Sequence, residues 1–309
     1  MIERRYAVIE APSVLGLRPT GVDRLAGTLL ENGLAERVSA RLAARLEPPP
    51  YNPDRDTTTG ILNADAIADW SPTLADAVER VLDAGEFPLI LGGDCSILLG
   101  TSLALKRRGR FGLLFIDGHA DFYQPEANPN GEVASMELAL ATGHGPIRLT
   151  DLEGRRPLVR SEDTVVFGFR DADEQTQYGS QPLPPEILAF DLATVRRLGV
   201  ERAIAAALEC VARRPLEGFF IHFDADSLND NIMPAVDYRL PDGFSWKEIS
   251  AILRLALQHE RAIGMQVTIY NPALDPDGSA ARGLTNALAA ALLSRPSTHA
   301  NGPQRGDGG

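Results

Sequence analysis

Short apolar runs alternate along the chain with longer amphipathic segments, and the two kinds of segment predict different elements. Apolar runs of strand length lie at residues 6–10, 87–91, 112–116, 164–169, 218–223 and 263–270. Segments with apolar residues at helical spacing lie at residues 21–32, 71–84, 96–106, 200–213, 245–259 and 280–294. This alternation predicts an α/β fold built on a mainly parallel sheet.

Length and composition set the limits of that fold. The chain has 309 residues, of which 44% are hydrophobic and 23% are charged, and this is enough for one large domain with a sizeable core. We expect the domain to span residues 1–295, with an irregular surface connection at residues 48–60. Residues 296–309 are polar and rich in glycine, which predicts a disordered tail.

Residues with metal-binding chemistry first appear where the apolar run at 112–116 ends. Asp117, His119 and Asp121 follow it within five residues. Side chains of an extended segment alternate between its two faces, so these three can project from the same side. Buried carboxylates need a cation or a shifted pKa, so the motif favours a bound metal over a helix cap or surface hydrogen bonds.

Two other apolar runs end in residues of the same kind. Asp224 and Asp226 follow the run at 218–223, and Cys95 follows the run at 87–91 through a pair of glycines. Open α/β sheets bind ligands at the carboxyl ends of their strands, so we expect all these side chains in one site. The candidate metal ligands are therefore Cys95, Asp117, His119, Asp121, Asp224 and Asp226. A carboxylate-rich set with one imidazole suits two divalent cations that share bridging carboxylates.

Three segments resemble, in order and spacing, the metal signatures of the arginase/agmatinase family of ureohydrolases. They are Gly92-Gly93-Asp94-Cys95-Ser96, Asp117-Gly118-His119-Ala120-Asp121 and Asp224-Ala225-Asp226-Ser227-Leu228. The resemblance continues at residues 168–173, 233–235 and 271–272 and covers nearly the whole chain. It implies a three-layer α/β/α fold, hydrolysis of a C–N bond in a linear amidine, and a dinuclear manganese centre.

The resemblance also implies a role for each ligand. One ion would be held by Cys95, Asp117, Asp121 and Asp224, and the other by Asp117, His119, Asp224 and Asp226. Asp121 would also be catalytic, since it is placed to steer the attacking hydroxide and relay its proton. Cys95 stands where the family has a histidine. A thiolate is softer than an imidazole and favours zinc, iron or cobalt over manganese, whereas the alternative for Cys95 is an inert buried thiol.

Two further departures from the family concern the substrate. Ala134 aligns with the family's proton-shuttling histidine, and Ile269 aligns with the glutamate that grips the guanidinium group. The candidate substrate-binding residues, which fall in segments that resemble the family's substrate loops, are Asn128, Asn130 and Asp173. Asp173 resembles the aspartate that holds a substrate α-amino group. The other loop residues differ, so the substrate cannot be transferred directly from arginase or agmatinase.

Two more histidines, His222 and His144, are candidates for a functional role. His222 shares a strand face with Asp224, so it can support the metal site by donating to a ligating carboxylate, or it can be a purely structural buried histidine. His144 could replace the missing shuttle, although the glycines on both sides favour a loop that ends a helix.

We therefore expect a hydrolase of a guanidino-type small molecule. A branch of the family with cysteine at the first ligand and no shuttle histidine cleaves N-hydroxy-L-arginine to ornithine and hydroxyurea, and this chain resembles that branch. Agmatine, guanidinobutyrate and formiminoglutamate are alternative substrates. A metal-binding member of the family without turnover is the alternative from another class. The sequence does not fix the oligomeric state.

The net charge and the N-terminal sequence limit the possible binding partners and the cellular location. The net charge of -12 argues against a nucleic-acid or anionic-membrane partner. Residues 1–17 lack the apolar centre of a signal peptide, and no apolar run approaches the roughly 20 residues that span a bilayer. These features predict a cytoplasmic protein.

Overall fold

A computed structural model describes residues 4–293 of the protein, and it is built around one eight-stranded sheet in which every pair of neighbours is parallel. The strands are β1 (Tyr6–Ala11), β2 (Arg41–Arg45), β3 (Phe87–Gly92), β4 (Gly112–Ile116), β5 (Thr164–Phe167), β6 (Leu188–Phe190), β7 (Phe219–Asp224) and β8 (Ala262–Thr268). Their order across the sheet is β2-β1-β3-β8-β7-β4-β5-β6. The predicted parallel α/β fold is confirmed.

Helices cover both faces of the sheet. They are α1 (Leu25–Glu31), α2 (Leu34–Val38), α3 (Ala64–Asp83), α4 (Ile97–Arg108), α5 (Glu137–Ala141), α6 (Ile147–Thr150), α7 (Ala172–Tyr178), α8 (Leu192–Leu198), α9 (Val200–Val211), α10 (Trp246–Gln258) and α11 (Ser279–Leu293). One core contains apolar residues of α1, α2 and α8 to α11, and the other contains residues of α3 to α6. Strand residues alternate between the two cores: Leu89 and Leu91 enter the first, and Ile90 enters the second. The result is the three-layer α/β/α arrangement.

Chain order and sheet order diverge in the middle of the sheet. The consecutive strands β3 and β4 are not neighbours, because β8 and β7 lie between them. The carboxyl ends of these four central strands therefore meet at one place. Ligand sites of open α/β sheets form where the strand order changes in this way.

Some elements differ from the sequence expectation. Helix α3 begins at Ala64 rather than near residue 71, and it carries Pro72 inside its length. It extends because Ile67 and Trp70 continue its buried face on the N-terminal side of the proline. The edge strands β2 and β6 were missed because most of their side chains are exposed or half-buried, which removes the apolar signal.

The connection at 48–60 carries neither a helix nor a strand, in agreement with the expectation. The predicted tail at 296–309 lies outside the described residues, and the single-domain limits of 1–295 stay a prediction. Within residues 4–293, none of the helices combines the length and the apolar character required to cross a bilayer.

Candidate metal centre and its cavity

The candidate ligands lie at the carboxyl ends of the central strands. Asp224 is the last residue of β7, Asp117 directly follows β4, and Cys95 comes three residues after β3. The turn before Cys95 needs glycine at position 93, because a Cβ atom there would lie 1.8 Å from the carbonyl oxygen of Ser13. Close backbone packing at Gly93 thus positions Cys95 over the sheet.

Asp117, His119 and Asp226 form what we call the outer group. His119 Nδ1 lies 2.9 Å from Asp226 Oδ2 and 3.8 Å from Asp117 Oδ1. The backbone NH of His119 donates to Asp117 Oδ1 at 2.7 Å, and the NH of Gly118 donates to Asp226 Oδ1 at 3.0 Å. These bonds orient both carboxylates, so three donor atoms within 4.8 Å of one another face a common point.

Cys95 lies deeper, where it contacts the end of β7 and β8. Its Sγ atom is 2.8 Å from Asp224 Oδ2, 3.1 Å from Thr268 Oγ1 and 3.8 Å from His222 Nε2. Only 1% of Cys95 is exposed. The thiol therefore points into the cluster of candidate ligands, although its burial alone fits an inert thiol equally well.

Asp121 adopts a left-handed backbone conformation with φ of 45°, which is unusual for a residue other than glycine. Its carbonyl oxygen accepts from the NH of Ala139 at 3.3 Å in α5. In this conformation the carboxylate is buried in the centre, where it also lines the cavity.

Glu137 is a buried carboxylate of this centre that the sequence interpretation missed. It is the first residue of α5, is 0% exposed, and lies beside Asp121. The available signal was a single charged residue in an otherwise apolar stretch, residues 136–141. Nothing in the local pattern shows that this residue points toward the strand ends rather than toward solvent.

Burial and mutual repulsion dominate the electrostatics of the cluster. Burial raises the pKa of Asp121, and repulsion from Glu137 raises it further. Burial likewise raises the pKa of Glu137, with repulsion from Asp117 next, and that of Asp224, with repulsion from Asp226 next. Without a bound cation, the protein environment therefore disfavours the ionised form of these carboxylates.

The histidines offset only part of this charge. Burial acts to lower the pKa of His119, but the carboxylates of Asp226 and Asp117 outweigh it and hold the pKa well above its usual value. Burial acts to raise the pKa of Asp117, but His119 and His222 outweigh it and lower the pKa. Two imidazoles cannot neutralise five neighbouring carboxylates, so the cluster has the charge that divalent cations require.

Unpartnered oxygens support the same fit. Among the described residues, Asp117 Oδ2 and both carboxylate oxygens of Glu137 are buried without a hydrogen-bond partner. Buried polar atoms in native proteins nearly always have a partner, which can be an ion. Carboxylate, imidazole and thiolate donors together fit divalent cations of the first transition row.

His222 is fully buried beneath this cluster. Its ring stacks on Phe115 at 4.4 Å between centroids, and Nε2 lies 3.5 Å from Asp117 Oδ2. The opposite ring nitrogen, Nδ1, lies 2.7 Å from the side-chain amide of Gln266. The predicted supporting role of His222 is therefore compatible with its position.

A cavity of about 270 Å³ opens above the outer group. What we call its floor consists of His119, Asp121, Asp224 and Asp226. What we call its wall consists of Leu17, Tyr123, Ala127, Asn128, Pro129, Asn130, Ala134, Ser135, Glu174, Tyr178, Tyr238 and Ile269. The volume suits a ligand of amino-acid size, with the floor able to bind polar groups and much of the wall apolar.

The structure brings only some of the predicted substrate residues to this cavity. Asn128 and Asn130 line it, and both are engaged with Glu132: Asn128 Nδ2 donates to the Glu132 carbonyl oxygen at 2.7 Å, and Asn130 Nδ2 to its Oε2 at 2.9 Å. Asp173 is exposed on α7 and is absent from the cavity lining, where Glu174 lies instead. The choice between adjacent residues depended on the rotation of α7, which the sequence pattern does not fix.

Ile269 lies on the wall in a strained conformation. Its φ is 71°, and β-branched residues rarely adopt positive φ. The NH of Ile269 donates to the Gly93 carbonyl oxygen, and the NH of Tyr270 donates back to the Thr268 carbonyl oxygen, both at 2.9 Å. Surrounding bonds thus impose this turn, which places an apolar side chain over the floor.

The sequence of this chain matches a known protein family. A model of the arginase family matches residues 42–295, which is most of the chain. The chain belongs to the arginase family. The arginase of Staphylococcus aureus (strain COL) is 28% identical over 283 residues, which cover 89% of this chain and 92% of that protein.

Two solved structures show how widely this fold is shared. The arginase of Bacillus caldovelox superposes with a TM-score of 0.84 at 24% identity, covering 95% of this chain and 99% of that one. Proclavaminate amidino hydrolase from Streptomyces clavuligerus superposes with a TM-score of 0.69 at 17% identity, covering 94% and 91%. At these identities the superpositions establish the fold.

Membership of the arginase family makes this protein a metal-dependent ureohydrolase, an enzyme that hydrolyses C–N bonds in linear amidines. It also implies a dinuclear centre of divalent cations, for which the buried cluster provides candidate ligands. The predicted enzyme class is confirmed. The individual ligand assignments stay predictions that the geometry accommodates.

Proposed function

We propose that this enzyme hydrolyses N-hydroxy-L-arginine to ornithine and hydroxyurea. The observation that carries the proposal is Ile269, which lies on the cavity wall at 5% exposure where the family resemblance places a guanidinium-binding glutamate. Arginine's guanidinium is permanently charged, so an apolar side chain there leaves the charge without a partner. An N-hydroxyl group withdraws electrons and lowers the basicity of the guanidine, which suits an apolar wall.

The second support is Ala134, which also lines the cavity. Its methyl group cannot supply the proton that a shuttle histidine would give to a leaving amine. The N-hydroxyl group withdraws electrons and makes the central carbon more electrophilic than that of an unsubstituted guanidine in the same protonation state, so we expect its cleavage to depend less on such an acid. Both departures from the family pattern therefore favour the same kind of substrate.

Residues of this chain can bind the two ends of an amino-acid substrate. Glu174 offers a carboxylate to an α-amino group. Both N–H bonds of the Asn130 amide are donated to Glu132 and Tyr238, so binding of an α-carboxylate depends on Arg18. Arg18, whose Nε is 3.3 Å from Glu132 Oε1, adds positive charge near the same loop. These contacts would direct the guanidine end toward the floor.

Reaction at the floor follows from the position of its carboxylates. When bound, two divalent cations neutralise the carboxylates and make hydroxide available near neutral pH. Asp121 would accept the proton of the attacking hydroxyl group and pass it to the leaving amine of ornithine. Asp224 and Asp226 form the rest of the acidic floor. The apolar residues of the wall exclude bulk water.

The test is a comparison of kcat/KM for N-hydroxy-L-arginine and L-arginine with metal-saturated enzyme. The expected preference for the hydroxylated substrate is about 10²–10⁴-fold, the usual contribution of one well-placed general acid. Agmatine, guanidinobutyrate and formiminoglutamate complete the panel and should react poorly, since none combines a free α-amino acid end with an N-hydroxyguanidine. Equal rates with arginine would overturn the proposal.

A further inference from the structure

We propose that Glu137 is a ligand of the inner cation and completes a closed site with Cys95, Asp117 and His222. Each of these four side chains, which we call the inner group, offers a donor atom, and the four atoms lie within 4.8 Å of one another. All four residues are at most 1% exposed, and none of them lines the cavity. The proposal rests on the proposed dinuclear centre and specifies how its deeper position is built.

The strongest observation concerns the hydrogen bonding of the Glu137 carboxylate. Neither of its carboxylate oxygens accepts a hydrogen bond within residues 4–293, although the residue is 0% exposed. Its nearest neighbours in the cluster include Asp121 and Asp117, which are themselves acceptors. A buried carboxylate without a donor is strongly destabilising, and a cation satisfies both oxygens at once.

Distances within the inner group fit one ion. In a tetrahedral site, metal–ligand bonds of roughly 2.0–2.3 Å would place the ligand atoms about 3.3–3.8 Å apart. The donor atoms of the inner group lie within 4.8 Å of one another, so they would need to approach each other by at most about 1.5 Å around a bound ion. Small side-chain rotations close this difference.

His222 can present a lone pair to this ion. Gln266 Oε1 is buried without a partner, while its Nε2 lies 2.7 Å from His222 Nδ1. Turning the terminal amide by half a rotation brings Oε1 to Nδ1, where it accepts the Nδ1–H bond. Nε2 then carries the lone pair and faces Cys95 and Asp117, which is the orientation of a ligating imidazole.

The two cation positions differ in their donors. The inner group supplies a thiolate, an imidazole and two carboxylates, whereas the outer group supplies one imidazole and two carboxylates. The softer inner set suits zinc, iron or cobalt, and the harder outer set suits manganese. Asp117 belongs to both groups and is the carboxylate that they share.

The experiment uses cobalt as the probe. Wild-type protein, freed of metal and titrated with Co²⁺, should bind two ions and show the near-ultraviolet charge-transfer band of a cobalt–thiolate bond. In Glu137→Gln, we expect the Co²⁺ affinity of the inner site, measured from this band, to fall by about 10–100-fold or more. The outer ion should stay bound. Glu132→Gln is the matched control, since Glu132 is an equally buried carboxylate that bonds to Tyr238 instead.

The competing explanation is a proton shared between Glu137 and Asp121. In that case Glu137→Gln would keep the hydrogen bond through its amide and would bind both ions with an unchanged band, which would overturn the proposal. Anomalous diffraction from cobalt-loaded wild-type crystals gives a test that needs no substitution. The expected inner peak lies about 2.0–2.2 Å from a Glu137 oxygen, and a peak out of bonding range of Glu137 would refute the assignment.

Failure of this inference is distinguishable from failure of the proposed function. Cobalt content and the thiolate band report on the inner ligands whatever the substrate is. An enzyme that prefers arginine would refute the substrate proposal and leave the metal titration unaffected.

Discussion

The floor and the wall of the cavity follow the arginase family to different degrees. The floor keeps the residue types of the family's metal motifs: His119, Asp121, Asp224 and Asp226. The wall carries the apolar side chains of Ala134 and Ile269, where the family resemblance implies two polar residues. The difference supports the proposal that cleavage of a C–N bond is retained while the chemistry that recognises the scissile group has changed.

The largest expected effect comes from changing the floor at Asp224. Asp224 Oδ2 contacts Cys95, and Oδ1 accepts from the NH of Asp226, so this carboxylate joins the two halves of the centre. Asp224→Asn should lower the affinity for both ions and reduce kcat/KM by at least about 10³-fold, which corresponds to roughly 4 kcal/mol. Elemental analysis after dialysis, together with steady-state kinetics, measures both effects.

His119→Ala is the comparison variant for Asp224→Asn. His119 belongs to the outer group alone, so its loss should weaken one ion and leave the other. Two variants with equal and negligible loss of metal would contradict the assignment of the floor.

A smaller effect is expected where the floor is supported from below. Arg170 Nη2 donates to the carbonyl oxygens of Asp226 at 3.0 Å and Leu240 at 3.2 Å, and its Nε donates to that of Pro241 at 3.0 Å. Arg170→Met leaves these carbonyls without their donor and should reduce the free energy of unfolding by about 3 kcal/mol. Chemical denaturation of the metal-free protein measures this loss.

The accompanying change in metal affinity should be confined to the outer group, because Arg170 holds the segment that carries Asp226. If the cobalt–thiolate band weakened as much as the outer site, the two groups would not be the separate units described here.

The wall is tested by restoring the residue type found in the family. Ile269→Glu places a carboxylate over the floor and should shift the ratio of kcat/KM for arginine over N-hydroxyarginine by about 10–100-fold toward arginine. This corresponds to the roughly 1.5–3 kcal/mol of a hydrogen bond to a charged group. Ile269→Gln is the matched control, since it adds length and polarity without charge and should change the ratio little.

The smallest expected effect concerns a residue that belongs to neither the floor nor the wall. Ser245 caps α10 by accepting from the NH of Glu248, whose carboxylate accepts from the NH of Ser245 in return. Ser245→Ala should reduce the free energy of unfolding by about 1 kcal/mol and leave the metal content unchanged. A loss of metal in this variant would mean that metal content follows global stability. Metal loss in the floor variants could then not be attributed to the loss of a ligand.

The sequence predicted the floor better than the wall for a physical reason. Strand ends are local signals: an apolar run followed by Asp117 or Asp224 fixes both the element and the edge of the sheet where the side chain lies. Glu137 has no such signal, since its place depends on how α5 packs against the loop that carries Asp121. The presence of Glu174 on the wall, where the sequence predicted Asp173, has the same origin. The rotation of a short exposed helix about its axis is set by tertiary contacts.

The central place of β8 has a consequence for how the molecule assembles. Cys95 follows β3 and Asp117 follows β4, yet these strands are joined only through β8 and β7. Residues 262–268 must therefore be available before the left and right halves of the sheet can close, and pairing over such long separations along the chain is slow. A nascent chain on the ribosome would hold two open sheet edges until that point, and Cys95 could not reach the ligands that follow β4 and β7 before β8 is made. The inner group would therefore be completed only late in synthesis.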